Sequence, residues 1–347
     1  MTQRILAMDE WSNYLTWLTT GLYDDFQGSR KGFMNRFRNL IRCRNEGIPI
    51  RELQEKKEVS EQEKMRRETK YADNKLAGII EKMFAEGKID QDELKRWNVI
   101  LKMAKVARNN EDQVKKVFVE LMPQNIIWNE YLIHVRGVAE TLASKLFVEL
   151  GDCSKFPNIS KARAYCALGI FNDQIQRRQE GVKSNFDIAA KTILIQVAEC
   201  LMKQNSPIFK EVYNEYKARI KRREPKLCSV SDRYIVIGDE IPGEIMGSDK
   251  EWVFISKENY PKFLEKCKEN FILQVPVKLS DAHTHRMARR KVAVIFLSLY
   301  WTASRELTGQ PITETYEEKI LEHSKESIIT WQQVVEANLA AKMKKAA

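Results

Sequence analysis

The chain has 347 residues, 43% of them hydrophobic and 31% charged, which excludes a disordered or collagen-like polymer and suits a helix-rich globular protein of two or three ordinary domains. Lys and Arg number 58 against 48 Asp and Glu, a net charge of +10, so the basic balance points either to a polyanionic partner or to a solvated cationic face. The longest apolar runs, such as residues 292–303, are too short to cross a bilayer and no signal peptide opens the chain, so no membrane partner and a cytoplasmic location are expected.

In chain order, Ile5 to Asp9 briefly has the look of a strand ending in a catalytic aspartate. Trp11, Tyr14, Leu15, Leu18, Leu22, Tyr23 and Phe26 follow at helical spacing, and Phe33, Phe37, Leu40 and Ile41 continue it beyond Gly28. Residues 11–44 therefore predict helix, and Asp9 is set aside. Residues 52–71 are dense in mixed charge and read as an exposed helix or a connector. A second helical stretch over 76–119 is expected to break at Gly87 and at the polar pair Asn109-Asn110.

Pro123 introduces an apolar segment around Ile126, Ile127, Trp128 and Leu132 that leads to the most informative part of the chain. Val135-Arg136-Gly137-Val138-Ala139-Glu140-Thr141-Leu142-Ala143 reads apolar–basic–Gly–apolar–small and then resumes helical spacing. This is the pattern of a helix-hairpin-helix. Its tight turn turns backbone N–H groups outward at the start of a helix, where a phosphate can sit without a base being read. Gly137 permits the positive φ or the close approach such a turn needs. A plain helical hairpin packed into a core fits the same residues.

Ser206-Pro207 reads as a helix start, a hydroxyl cap followed by proline at the first helical position. The helix it opens turns Phe209, Val212, Tyr213 and Tyr216 inward and ends in a basic run over 217–223. Residues 227–280 change character: residues 234–237 and 252–255 read as short strands in a small α+β insertion. Helix returns over 286–307, stopping at Gly309 before Pro311, and again over 326–344. The fold class expected is mainly α, a helical protein with a central helix-hairpin-helix and a small α+β insertion. Its segments are an N-terminal helical part (1–50), a charged helical or coiled part (51–122), the helix-hairpin-helix region (123–226), the insertion (227–280) and C-terminal helices (281–347).

Chemistry-bearing residues are sparse. Between residues 151 and 230 there are 15 Lys+Arg against 8 Asp+Glu, an uneven share of the excess charge. His283, His285, Arg286, Arg289, Arg290 and Lys291 cluster at the start of a long helix, where positive charge opposes the helix dipole by about 0.3–1 kcal/mol each unless an anion docks there. A phosphate contact is one reading. Salt bridges to the acidic residues of 314–322 and a histidine pair satisfied in the core are the others. A metal is not expected, because His-x-His offers two ligands with no third at suitable spacing. Arg177, Arg178 and Lys183 form a further basic patch in the polar loop 171–187, where Ser184 is the one hydroxyl and Lys183 could lower its pKa. The six cysteines are scattered with no Cys-x-x-Cys pair, and read as buried, reduced thiols. No P-loop or dinucleotide fingerprint occurs, and no cofactor is expected.

Several of these stretches together resemble the C-terminal region of the "one-ten" insertion-sequence transposases, the family guided by a bridge RNA. Val135–Ala143 stands where that family has an apolar-Lys-Gly-Ile-Gly-x-x-x-Ala hairpin, with Ala139 in place of the second Gly. Residues 149–157 resemble its Glu-Leu-Gly-Asp-x-x-x-Phe element, and Ala164-Tyr165-Cys166-Ala167-Leu168-Gly169 its Ala-Tyr-x-Gly-Leu segment. The basic stretch 177–191, the segments 203–207 and 213–217, and the helix running from His283 to Pro311 follow in the family's order.

The resemblance implies transposition or recombination of DNA, with DNA and a guide RNA left as alternatives for the polyanion and a homo-oligomer left open. It implies backbone contacts from Arg136, Gly137, Val138, Ala139, Thr141, Lys145, Arg177, Arg178, Lys183, His283, His285, Arg286, Arg289 and Arg290. Strand exchange in the family runs through a serine phosphodiester, for which Ser184 is the candidate here. The departures are definite. The first 120 residues read as helical rather than as the family's RuvC-like domain with its acidic tetrad, so no metal-binding carboxylate is carried over, and Ser184 is displaced from the family's Ser-Gly position. A non-catalytic nucleic-acid-binding protein, architectural or regulatory, is the alternative function.

Overall fold

The computed structural model describes residues 8–47, 71, 73–171, 174–176, 180–222, 226–229, 274–277, 281–313 and 329–346. The protein is mainly α-helical and divides into two units: Met1–His134 with Val138–Pro157 and Ala303–Ile312, and Val135–Gly137 with Asn158–Thr302 and Thr313–Ala347.

The first unit opens with α1 (Met8–Thr16), a π-helical stretch (Trp17–Tyr23) and α2 (Asp24–Glu46) in unbroken succession. Asp9 lies within α1, not at a strand end. Helices α3 (Leu76–Ala85) and α4 (Gln91–Leu121) follow. Helix α4 starts at a capping box: the Asp90 carboxylate accepts from the N–H groups of Asp92 and Glu93, and Glu93 accepts from the N–H of Asp90. The expected break at Gly87 is present, but α4 runs straight through Asn109-Asn110. Asparagine costs a helix only a few tenths of a kcal/mol. Packing just beyond decides the matter. Val114 and Phe118 are buried, and Glu111, 2% exposed, receives the guanidinium of Arg30 from α2.

Two apolar clusters hold this unit. Phe37, Ile41, Leu76, Ile80, Met83 and Trp97 bring α2, α3 and α4 together, with Phe37 and Trp97 edge to face at 5.8 Å. Trp11 packs edge-on to Phe147 of α6 (Glu140–Leu150) at 5.3 Å and donates its indole N–H to the Leu121 carbonyl at 3.1 Å. Each such side chain contributes about 1.5–3 kcal/mol by leaving water. Between α4 and α6 lies the short α5 (Ile126–Glu130), capped by Asn125 as its side-chain oxygen accepts from Ile127 and Trp128.

The second unit holds α7 (Ile159–Tyr165), a two-residue ladder of β1 (Ile170–Phe171) and β2 (Gln174–Ile175), then α8 (Ile188–Lys203) and α9 (Pro207–Arg222). Strands β3 (Lys226–Ser229) and β4 (Gln274–Val277) pair antiparallel, so the two ends of the expected insertion are joined to each other. The strands expected at 234–237 and 252–255 lie outside the described residues. Helix α10 (Asp281–Leu307) and α11 (Trp331–Ala346) complete the chain. Leu194, Val197 and Leu201 of α8, Phe209 of α9, and Val292, Phe296, Tyr300 and Trp301 of α10 are buried, and the rings of Phe209 and Phe296 meet at 6.0 Å. These are the inward positions that the 3.6-residue period selects. Among the described residues no helix is long and apolar enough to cross a membrane.

Candidate nucleic-acid interface

The bend at Gly137 is real, and so is its need for glycine. Gly137 has φ +107, and a β-carbon on it would come within 3.0 Å of the Cys200 carbonyl oxygen and 3.2 Å of the Leu201 α-carbon. The close approach is therefore to the backbone of α8. The preceding amide is also occupied: the Arg136 N–H donates to the side-chain oxygen of Asn338 on α11 at 3.2 Å. That same oxygen accepts from the Ser206 hydroxyl at 3.4 Å, while the Asn338 amide donates to Val334 at 2.7 Å. Asn338 is 2% exposed, a buried pin that sequence reading missed. Its signal was a polar residue four positions after Val334 on the apolar side of the last helix.

Helix α6 begins at Ala139, whose extended backbone (φ −107, ψ 172) makes it the N-cap but whose methyl can accept nothing. Only the later N–H groups, of Leu142 and Ala143, bond to the Ala139 carbonyl. Val138 is buried and Thr141 half-buried. Lys145 is engaged: its ammonium meets Asp24 at 2.5 Å and lies 5.4 Å from the centre of the Tyr23 ring. Glu140 in the first turn adds a negative charge near the helix start.

On α10, the cluster from His283 to Lys291 divides. His283, Arg286 and Lys291 are exposed. Arg289 donates to Glu199 of α8 at 3.0 Å, and the other oxygen of Glu199 receives Lys203 at 3.2 Å. Burial pushes the Glu199 carboxyl up, but these two cations outweigh it and hold it below the ordinary range. His285 sits with Nδ1 2.8 Å from the Tyr213 hydroxyl and Nε2 3.7 Å from Glu199.

Arg290 has a different partner set. Its two terminal nitrogens donate to the carbonyls of Ala167, at 2.9 Å, and Gly169, at 3.1 Å, and burial lowers its pKa. Ala167 is left-handed at φ +50, an unusual state for a residue with a β-carbon. The segment 164–169 is thus held by a guanidinium fork. In the first unit Arg305, 5% exposed, does the same, donating to the carbonyls of Cys153 (3.3 Å), Phe156 (3.1 Å) and Pro311 (2.7 Å), while Gln310 donates to the Asp152 carboxylate at 3.1 Å. Planar guanidinium groups suit such divergent carbonyl pairs for the reason they suit phosphates.

Arg177 and Arg178 lie outside the described residues. Lys183 is exposed, and Ser184 is half-buried in irregular backbone between Gly181 and α8. The end of that loop is pinned by Asp187, which caps α8 through Ala190 N–H at 2.8 Å and receives the Tyr165 hydroxyl at 3.2 Å. Helix α9 adds Lys210, which sequence reading passed over, beside the basic run it did mark: Lys210 and Lys217 lie 5.6 and 5.9 Å from the centre of the Tyr213 ring, and Arg219 4.8 Å from that of Tyr216. Cys43, Cys153 and Cys166 are buried as thiols. Among the described residues, no group of three or more His, Cys, Asp or Glu is placed to hold a metal ion.

No curated protein and no solved structure matches the chain. Residues 129–214, the stretch that contains the bend, the Arg290-held segment and the start of α9, match the model of the Transposase IS116/IS110/IS902 family, a similarity consistent with a C-terminal region of that family.

Proposed function

We propose that the protein is a DNA-binding, transposase-like protein of the cytoplasm that grips the nucleic-acid backbone through a helix-hairpin-helix at residues 135–143 and through exposed cations elsewhere. The observation that carries this reading is the transposase-family match over residues 129–214. Local geometry supports it. The N-cap of α6 is an alanine with no acceptor of its own, which suits an N–H pair offered to a phosphate oxygen. Arg136, Lys183, Lys210, Lys217 and Arg286 supply cationic side chains, while Arg289 and Arg290 serve the fold, on Glu199 and on two carbonyls.

The test is binding of a fluorescent four-way junction and of a linear duplex, titrated with salt. Several phosphate contacts give a log–log slope of about −0.9 per contact. Changing Arg136, Lys183 or Arg286 to Glu removes about one contact each. Binding that ignores salt, or none at all, overturns the reading. A second reading, a non-catalytic architectural protein, is favoured by Ser184, which lies away from the family's Ser-Gly position. It stands if the junction is bound and no strand is ever opened.

A further inference from the structure

Three ionisable side chains from three helices meet in the second unit in an order that has chemical meaning. The Tyr213 hydroxyl of α9 lies 2.8 Å from His285 Nδ1 of α10, and His285 Nε2 lies 3.7 Å from Glu199 of α8. Glu199 is itself held by Arg289 and Lys203. A nucleophile hydrogen-bonded to a base, with the base facing a fixed carboxylate, is the arrangement that activates a weak hydroxyl. The tyrosine stands at the margin of the packed interior: Tyr213 is 9% exposed, whereas the side chain of His285 is 37% exposed and that of Glu199 27%. Lys210 and Lys217 flank the phenol ring, where they meet both a developing phenolate and the oxygens of a phosphate. The hydroxyl of Tyr213 is thus hydrogen-bonded to a histidine.

We propose that Tyr213 is a nucleophile for phosphodiester transfer, with His285 as its general base and Glu199 as the positioning residue. The proposal rests on the nucleic-acid reading above and replaces its serine by a tyrosine. With the imidazole proton on Nε2, towards Glu199, Nδ1 takes the phenolic proton as Oη attacks phosphorus. The P–Oη bond forms, the bond from phosphorus to the departing strand oxygen breaks, and that oxygen takes the proton back from the imidazolium. One ester replaces another, so neither oxidant nor nucleotide triphosphate enters the balance. Attack of a second strand hydroxyl on the phosphotyrosyl ester reverses the step and frees Tyr213.

The experiment uses the full chain and thymidine 5′-(4-nitrophenyl phosphate), an activated diester that needs no target sequence. A burst of nitrophenolate approaching one equivalent per chain is expected, with the thymidylyl adduct mapped by peptide mass spectrometry to Tyr213. Tyr213→Phe abolishes the burst. His285→Gln slows it by about 10²–10⁴-fold without changing its final amplitude, and Glu199→Gln slows it in part, with Glu199→Asp recovering some of the rate. An adduct elsewhere, no adduct, or a wild-type burst from Tyr213→Phe overturns the proposal. The adduct position is read on the unmodified chain, so the result stands even if a variant folds poorly. Junction binding measured on the same samples fails separately if it is the nucleic-acid reading that is wrong.

Discussion

Gly137 lies so close to Cys200 that a single β-carbon would reach 3.0 Å from its carbonyl oxygen. The bend and the α8 backbone are therefore in direct contact, and two penalties coincide for any other residue: positive φ at +107 and collision with main chain that no rotamer can move. Gly137→Ala is expected to destabilise the protein by about 2–4 kcal/mol. Urea unfolding checks it. A loss below about 1 kcal/mol would show that α8 yields at Cys200.

Arg290 distinguishes a structural cation from a ligand-binding one. Its fork holds the carbonyls of buried Ala167 and half-buried Gly169, so Arg290→Met leaves both acceptors without this donor and is expected to cost about 1–3 kcal/mol. If Arg290 instead touched phosphate, the same change would reduce the salt slope of junction binding by about one contact. The expected result is lower stability with an unchanged slope.

Ala167 occupies the place where the resembling family segment has glycine, and its φ of +50 gives the reason. An alanine in that region bears about 1–2 kcal/mol of strain, offset here by full burial of its methyl. Ala167→Gly exchanges these terms and is expected to fall within about 1 kcal/mol of the parent. Ala167→Val puts a β-branched residue into the same well with no free volume and is expected to lose more than about 3 kcal/mol. Equal stability of the two variants would contradict this account.

How much of this was legible in sequence follows from what each signal encodes. The inward faces of α9 and α10 were readable because Phe209, Val292, Phe296 and Tyr300 recur at the helical period. Gly137 was readable as a necessity but not as to its cause, since positive φ and close approach leave the same letter whether a ligand or a helix is the neighbour. The role of Arg290 was not separable from that of a phosphate ligand for a related reason: carbonyl and phosphate oxygens ask for the same fork. The Asn109-Asn110 turn failed because local propensity is small beside the burial of Val114 and Phe118. The meeting of Tyr213, His285 and Glu199 joins residues far apart in the chain, and nothing in their own neighbourhoods announces it.

Glu199 carries a pH dependence whose sign is determined by its partners. Burial raises its pKa, yet the hydrogen bonds from Arg289 and Lys203 prevail and lower it relative to the unfolded chain. The native state therefore gains stability from this carboxylate at any pH above the ordinary glutamate value of about 4.3, and loses it as acid protonates the folded group below that value. Glu199→Gln removes the charge at every pH. The melting temperature of the wild type should exceed that of Glu199→Gln at about pH 6, and the gap should close as the pH falls through the carboxylate range. A gap that widens in acid would mean that burial, rather than Arg289 and Lys203, governs the group.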